Sequence, residues 1–393
     1  MREIFVVDGV RTAIAKAGKS SYFANVRADD LLAMTLNEIC RRTGIEDKKE
    51  MIDDVIVGAT YCIADMGWNV ARMAVVMAGF PYSVPAYGSD RFCASGLQAI
   101  ANAYFSINTG WSDLIIAGGV AHMTHVPIGT GNVYNPRIGE FAHENSIKMG
   151  WTAENVARKY GVSREEQDAL AVRSHQNAHK ATVEGLFKKE IMPIEVTVNN
   201  KDGSTDTIIA DKDQGIRPET TMESLSALPT IFMQDEAATV TAGNSSQTND
   251  AAAAMLIASK EKCTELGLKP KMKLIGFKAV GCDPAEMGIG PAIAIPAVLK
   301  QAGMTKDQIG LWEINEAFAS QAVYCARELG ILDHPFFNPR GNGISLGHPL
   351  GCTGVRIATT LMNEMEDYGI KYAVESMCIG NGQGAAAIWE YVG

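Results

Sequence analysis

The sequence predicts an α/β protein made of two copies of one strand–helix unit, with a long segment inserted in the first copy. Three observations carry this. Residues 1–121 and 272–393 both alternate short apolar strands with helices whose apolar positions recur at spacings of three and four. The two stretches overlay, Asp54-Val55-Ile56-Val57-Gly58 on Gly310-Leu311-Trp312-Glu313-Ile314, and the helix opening after Cys93 on the one opening after His348. Between them, residues 122–246 are longer, more polar and less regular, as expected of an insertion lying over a core. Residues 247–271 then return to the first unit.

Taken in order, strands are expected at Ile4–Val7, Asp54–Val57 and Leu114–Ala117. Helices are expected around Leu31–Arg42, Asn69–Ala78 and Ala94–Ile107. In the insertion, Ser163-Arg164-Glu165-Glu166 reads as a capping box running into a helix over Asp168–Ala181. The small residues of Asp250–Ala258 read as a helix, because alanine is the best helix former. The second unit repeats the theme, with strands at Leu274–Phe277, Leu311–Ile314, Ala373–Met377 and Ala386–Trp389. Its helices fall near Ile293–Gln301, Ser320–Leu329 and Val355–Glu366.

Composition bounds the function. With 47% hydrophobic and 20% charged residues in 393, the chain has the makeup of a folded globular protein. A net charge of −10 argues against a nucleic-acid partner. No apolar run approaches a membrane span. The N-terminus reads as a strand and not a signal peptide, and the C-terminus matches no peroxisomal or retention signal, so a cytoplasmic protein is expected. The cysteines Cys40, Cys62, Cys93, Cys263, Cys282, Cys325, Cys352 and Cys378 are scattered without metal-ligand spacing. Neither disulfides nor a metal is therefore expected.

Two of these cysteines and one histidine sit in unusual surroundings. His348 lies in Gly343-Ile344-Ser345-Leu346-Gly347-His348-Pro349-Leu350-Gly351, and Cys378 opens Cys378-Ile379-Gly380-Asn381-Gly382-Gln383-Gly384. Glycine-rich backbone makes a poor core but lets a chain approach a ligand closely. Cys93 precedes a helix, where free N–H groups favour a thiolate and are expected to lower its pKa. A histidine held by bent backbone suits a base toward a thiol or a donor toward an oxyanion. Cys352 reads as packing. Asn315, directly after an apolar strand, is either a helix cap or an amide that fixes a water at an oxyanion.

These motifs, in this order, resemble the thiolase family over essentially the whole chain. The matching pieces are Cys93-Ala94-Ser95-Gly96-Leu97-Gln98, Thr152–Ala157, Ser163–Asp168, Thr241-Ala242-Gly243-Asn244, Asn315-Glu316-Ala317-Phe318, Gly347-His348-Pro349 and the Cys378 glycine run. The resemblance implies a thiolase-like fold of five layers, αβαβα, with the loop domain inserted in the first copy. It also implies roles. Cys93 accepts the acyl group, and His348 activates it and forms one oxyanion hole with a water on Asn315. The N–H groups of Cys93 and Gly380 form the other, and Cys378 moves the α-proton. Coenzyme A is implied as a substrate, with no tightly bound cofactor. Its adenine and pantetheine contacts would be Arg217, Ser224, Leu228, Ile231 and Phe232, with Ser246, Met149, Met287 and Phe318 along the pantetheine channel. A homodimer or homotetramer is implied.

Lys148-Met149-Gly150, Ala121-His122-Met123-Thr124, Trp68-Asn69-Val70 and Asn381 depart from common family patterns. An acyl group other than plain acetoacetyl is expected from them. Two competing functions share parts of the pattern: a decarboxylating ketoacyl synthase and a non-catalytic acyl-CoA-binding subunit. The glycine-embedded Cys378 and the intact set of four side chains favour the thiolase reading over both.

Overall fold

The computed structural model describes residues 2–131, 134–142, 147–200 and 202–393. Its first half is a sheet in the order β4 (Ala86–Ser89), β3 (Asp54–Gly58), β5 (Leu114–His122), β8 (Asn249–Ser259), β1 (Ile4–Arg11). β3 runs parallel to β4 and β5, whereas β8 runs antiparallel to β5 and β1. A short β2 (Ala15–Lys16) adds to β8. The second half repeats the pattern as β10 (Leu311–Ile314), β11 (Tyr372–Ile379), β12 (Gln383–Tyr391), β9 (Met272–Gly281). Here β10 and β11 are parallel, and β12 is antiparallel to β11 and β9. The strands of the two halves pair at Val6 opposite Met272.

Helices fill the remaining layers, and the buried side chains sort accordingly. α1 (Ala28–Thr43) and α2 (Val70–Met77) cover one face of the first sheet, with Leu31, Leu36, Ala71 and Val75 packed on Val55, Val57 and Leu256. α8 (Gly290–Ala302) and α9 (Ala319–Glu328) cover the far face of the second, against Trp312, Val374 and Ile388. Between the sheets lie α3 (Ser95–Asn108) and α10 (Thr353–Tyr368), sharing one core with Ile115, Met255, Ala373 and Trp389. This is the αβαβα sandwich of two repeated units. α7 (Lys260–Leu266) links β8 toward the second half.

One expected helix is a strand. Asp250–Ala258 belongs to β8, whose residues are all buried and hydrogen-bonded on both sides, Ala254 opposite Val10 and Gly118. Alternate residues split between layers: Ala251, Ala253, Met255 and Ile257 face the central helices, and Ala252, Ala254, Leu256 and Ala258 face α1. Both faces being apolar, the period-two signal is invisible in the sequence, and the sheet overrides alanine's intrinsic preference.

The inserted segment carries α4 (Met149–Tyr160), α5 (Arg164–Val183), the hairpin β6 (Ile194–Asn199)–β7 (Thr205–Ala210) and α6 (Met222–Ser226). The capping box at Ser163 and Glu166 is present. Buried Arg11 at the end of β1 ties the segment down through Glu190 at 2.7 Å and Asp213 at 2.7 and 3.0 Å.

Candidate active site

The site forms where the two central helices begin. Cys93 lies in a one-turn helix, Phe92–Ala94, directly before α3, and Phe92 is held at φ +44°, a left-handed conformation a bulky residue rarely adopts. α3 and α10 approach so closely at their first turns that only glycine fits. A Cβ on Gly96 would lie 2.8 Å from the Val355 amide nitrogen, and one on Gly354 would fall on the Leu97 backbone. That contact brings the Cys93 turn and the loop before α10 together. Leu350, two residues after His348, packs on Cys93 with Met123.

His348 is presented by Gly347, at φ +121°, and its own N–H donates to Asn249 Oδ1 at 2.8 Å. Its Nδ1 lies 2.7 Å from Thr353 Oγ1 and 3.3 Å from Asn315 Nδ2. Its Nε2 is buried and, among the described residues, has no hydrogen-bond partner. Burial, then the nearby Arg356 guanidinium, pushes the imidazole down to about 3, so it is neutral at physiological pH. Asn315 follows β10, its N–H on the Ser376 carbonyl at 2.9 Å, and its Oδ1 is likewise buried and unpartnered among the described residues. It does not cap α9.

The N–H groups of Gly380 and of Cys93 itself lie near enough to the Cys93 sulfur to favour its thiolate. Even so, burial dominates and pushes this thiol up to about 11. The expected lowering is therefore overturned: the helix N-terminus and two N–H donors do not compensate for the loss of water. Cys378, near the end of β11 and opposite Gly384, is fully buried; burial and the neighbouring Cys93 raise it well above the ordinary thiol range. Asn381 adopts φ +65°, which asparagine tolerates better than other non-glycine residues, so its departure from a glycine run leaves the turn intact.

Of the predicted channel residues, Met287 and Phe318 pack with Cys378 and Ala153, and Met149 and Phe232 close over them. Met149 Sδ would lie 3.5 Å from a Cβ on Gly380, and the Phe232 ring lies over Gly150. Ser246 joins this group through its N–H to the Ala317 carbonyl at 2.9 Å. Leu228 packs near Gly243, while Ile231 is 45% exposed on the rim. Ser224 is exposed and its hydroxyl is engaged in the α6 cap with Thr221. Arg217 stands apart beside His175, whose Nδ1 accepts the Arg217 N–H at 3.1 Å.

Three residues of the neighbourhood were not anticipated: Thr353, Asn249 and Lys16. Thr353 is one turn beyond His348 at the start of α10, a spacing that carries a signal only once that helix is placed. Lys16 lies in β2 near Arg217; burial, then Arg217, lowers its pKa, which puts two cations close together. Elsewhere, Asp65, His122 and His125 bring ligand-type atoms within 4.8 Å of one another. The two imidazoles are stacked, centroids 4.0 Å apart at 24°. His125 pairs with Asp65 at 2.7 Å.

Solved structures define the class first. The chain superposes on an acetyl-CoA acetyltransferase of Bacillus anthracis with a TM-score of 0.88 and 36% identity, covering 100% of this chain and 99% of the other. The dimeric peroxisomal thiolase of Saccharomyces cerevisiae matches with a TM-score of 0.88 and 38% identity, over 100% and 98%. Such a likeness, over the whole of both chains, is that of an acyltransferase. Residues 4–261 match the thiolase N-terminal domain and residues 268–391 the thiolase C-terminal domain. A 3-ketoacyl-CoA thiolase of Bacillus subtilis is 48% identical over 99% of this chain and 100% of its own length, and one of Aliivibrio fischeri is 43% identical over the same shares. The chain belongs to the thiolase family.

Proposed function

We propose that the chain cleaves 3-ketoacyl-CoA with CoA to acetyl-CoA and a shortened acyl-CoA, and runs the reverse Claisen condensation, through an acyl group on Cys93. The observation that carries this is the Cys93 sulfur near the Gly380 N–H, with a second buried thiol, Cys378, close enough that Cys93 raises its pKa. Cys93 attacks the keto carbonyl, and the C2–C3 bond breaks. The enolate of acetyl-CoA takes a proton at C2 from Cys378, and over the half-reaction Cys93 has lost one. CoA then attacks the acyl thioester and returns a proton to the pair of thiols. A neutral His348 and a protonated Cys93 make His348 the base at the moment of attack, in place of a preformed thiolate–imidazolium pair. A protonated Cys378 is the form that can donate to the enolate. Asn315 Oδ1 and His348 Nε2, both unpartnered and buried among the described residues, are the polar atoms left for a water and a substrate oxygen.

The insertion at 122–246 is assigned as the CoA-binding wall between a first unit of 1–121 plus 247–271 and a second of 272–393. Met149, Phe232, Met287 and Phe318 form an apolar lining suited to pantetheine. Lys16 and Arg217 offer two cations for the phosphates. Ser224, Leu228, Ile231 and Ser246 complete the CoA contacts. No helix of the described residues is long and apolar enough to cross a membrane, and a cytoplasmic location is proposed. The free edge of β4, with Tyr87 39% exposed, supports assembly with further copies as a homodimer or homotetramer.

Thiolysis of a graded 3-ketoacyl-CoA series tests the reading. Turnover is expected, with chains longer than acetoacetyl preferred, because apolar Met123, Leu350, Tyr61 and Phe92 surround Cys93. Absence of CoA-dependent cleavage across the series would defeat the function. Cleavage of acetoacetyl-CoA alone would defeat the chain preference only.

A further inference from the structure

We propose that Thr353 is a positioning residue that lets His348 act first as a base and then as an oxyanion donor, by accepting the hydrogen bond from its Nδ1–H. The inference rests on the roles proposed for Cys93 and His348. The two nitrogens of the His348 ring face different groups. Nδ1 has two neighbours, Thr353 Oγ1 at 2.7 Å and Asn315 Nδ2 at 3.3 Å. Nε2 has none among the described residues and is the atom left for the reacting groups.

An amide NH₂ only donates, so Asn315 favours a lone pair on Nδ1 and a proton on Nε2. In that tautomer Nε2–H is a donor, fit for the oxygen of a thioester or enolate, and it cannot take a proton from Cys93. The opposite tautomer, with Nε2 bare, needs an acceptor for Nδ1–H. Thr353 is that acceptor. A hydroxyl can donate to Nδ1 or accept from it at the same distance; it accepts from Nδ1–H while Nε2 is bare, and when Nε2 takes the Cys93 proton it still holds Nδ1–H, so Nε2–H becomes the donor with no other proton to place. A carboxylate in this place would hold Nδ1–H permanently and stabilise the imidazolium, as in a Ser-His-Asp triad. The buried, uncharged Thr353 holds that proton without a counter-charge, so the proton on Nε2 is readily passed on. A two-stage reaction gains from this. Acylation needs the bare nitrogen as the Cys93 proton leaves, and formation or collapse of the enolate needs the N–H.

The variants Thr353→Val and Thr353→Ser separate this role from mere packing. Valine keeps the shape of threonine and removes the hydroxyl. Nδ1 is then left facing only the Asn315 donor, the ring settles with its proton on Nε2, and the base is lost. The rate of acyl-enzyme formation from 3-ketoacyl-CoA, measured in a single turnover without CoA, is expected to fall about 10- to 100-fold. The pH profile is expected to change as well. Wild-type acylation is expected to be flat across neutral pH, because burial keeps His348 neutral above about 3 and Cys93 protonated below about 11. Thr353→Val is expected to depend on the thiolate fraction alone and to rise about tenfold per pH unit. Thr353→Ser is expected to restore both rate and flat profile to within about threefold. Thr353→Ala serves the same purpose should valine prevent folding.

A valine or alanine variant that acylates at the wild-type rate with a flat profile would overturn the proposal. So would a serine variant as slow as valine, which would point to packing by the methyl group. Failure of the wild-type enzyme to acylate at all would instead defeat the reading of Cys93 and His348 on which it rests.

Discussion

Cys93→Ala is expected to lower thiolysis by about 10⁴-fold or more, since removing a covalent nucleophile leaves only binding and oxyanion stabilisation. The loss should fall on kcat. The variant should keep its fold, because the sulfur's neighbours, Met123 and Leu350, stay packed on each other and the N–H of Gly380 belongs to a fixed turn. Losing one buried sulfur costs roughly 1 kcal/mol, little beside the total stability. Near-normal turnover in Cys93→Ala, measured as 3-ketoacyl-CoA consumed, would remove the acyl-cysteine step from the mechanism.

Gly354→Val is expected to be the most damaging single change to the scaffold. At Gly354 the obstacle is backbone: a Cβ there would meet the Leu97 nitrogen and lie 2.8 Å from the Leu97 Cα. No rotamer relieves such a clash, so α3 and α10 must separate in the middle of a shared core. The expected cost is about 3 kcal/mol or more, read as a lowered urea midpoint. Because the same contact sets the Cys93 turn against the loop of His348, activity should fall further than stability alone accounts for. An unchanged midpoint would show that the helix crossing is looser than the close approach implies.

Much of this was legible in the sequence, for reasons particular residues make clear. The duplicated unit could be seen because each half has a short apolar strand, β3 or β10, followed further on by a glycine-marked helix start, that of α3 or α10. The catalytic candidates stood out because glycines beside His348 and Cys378 serve no packing purpose that a larger residue would not serve better. The helix at Asp250–Ala258 was misread because β8 is buried on both faces and made mostly of alanine, which erases the alternation on which strand reading depends. The Cys93 pKa was misjudged for a related reason. Local sequence reveals the helix that follows, whereas desolvation arises from Met123 and Leu350, which only the fold brings near. Thr353 was invisible as a functional residue because its role depends on a side-chain distance and not on spacing alone.

The proposed reaction passes through one covalent bond, between Cys93 and the acyl group. Incubating the enzyme with a 3-ketoacyl-CoA in the absence of CoA, then measuring intact mass and the peptide that carries Cys93, tests it directly. The prediction is a mass increase of one acyl group, located on Cys93 and discharged when CoA is added. An enzyme that cleaves the substrate with no adduct on Cys93, or that carries the acyl group on another residue, would contradict it.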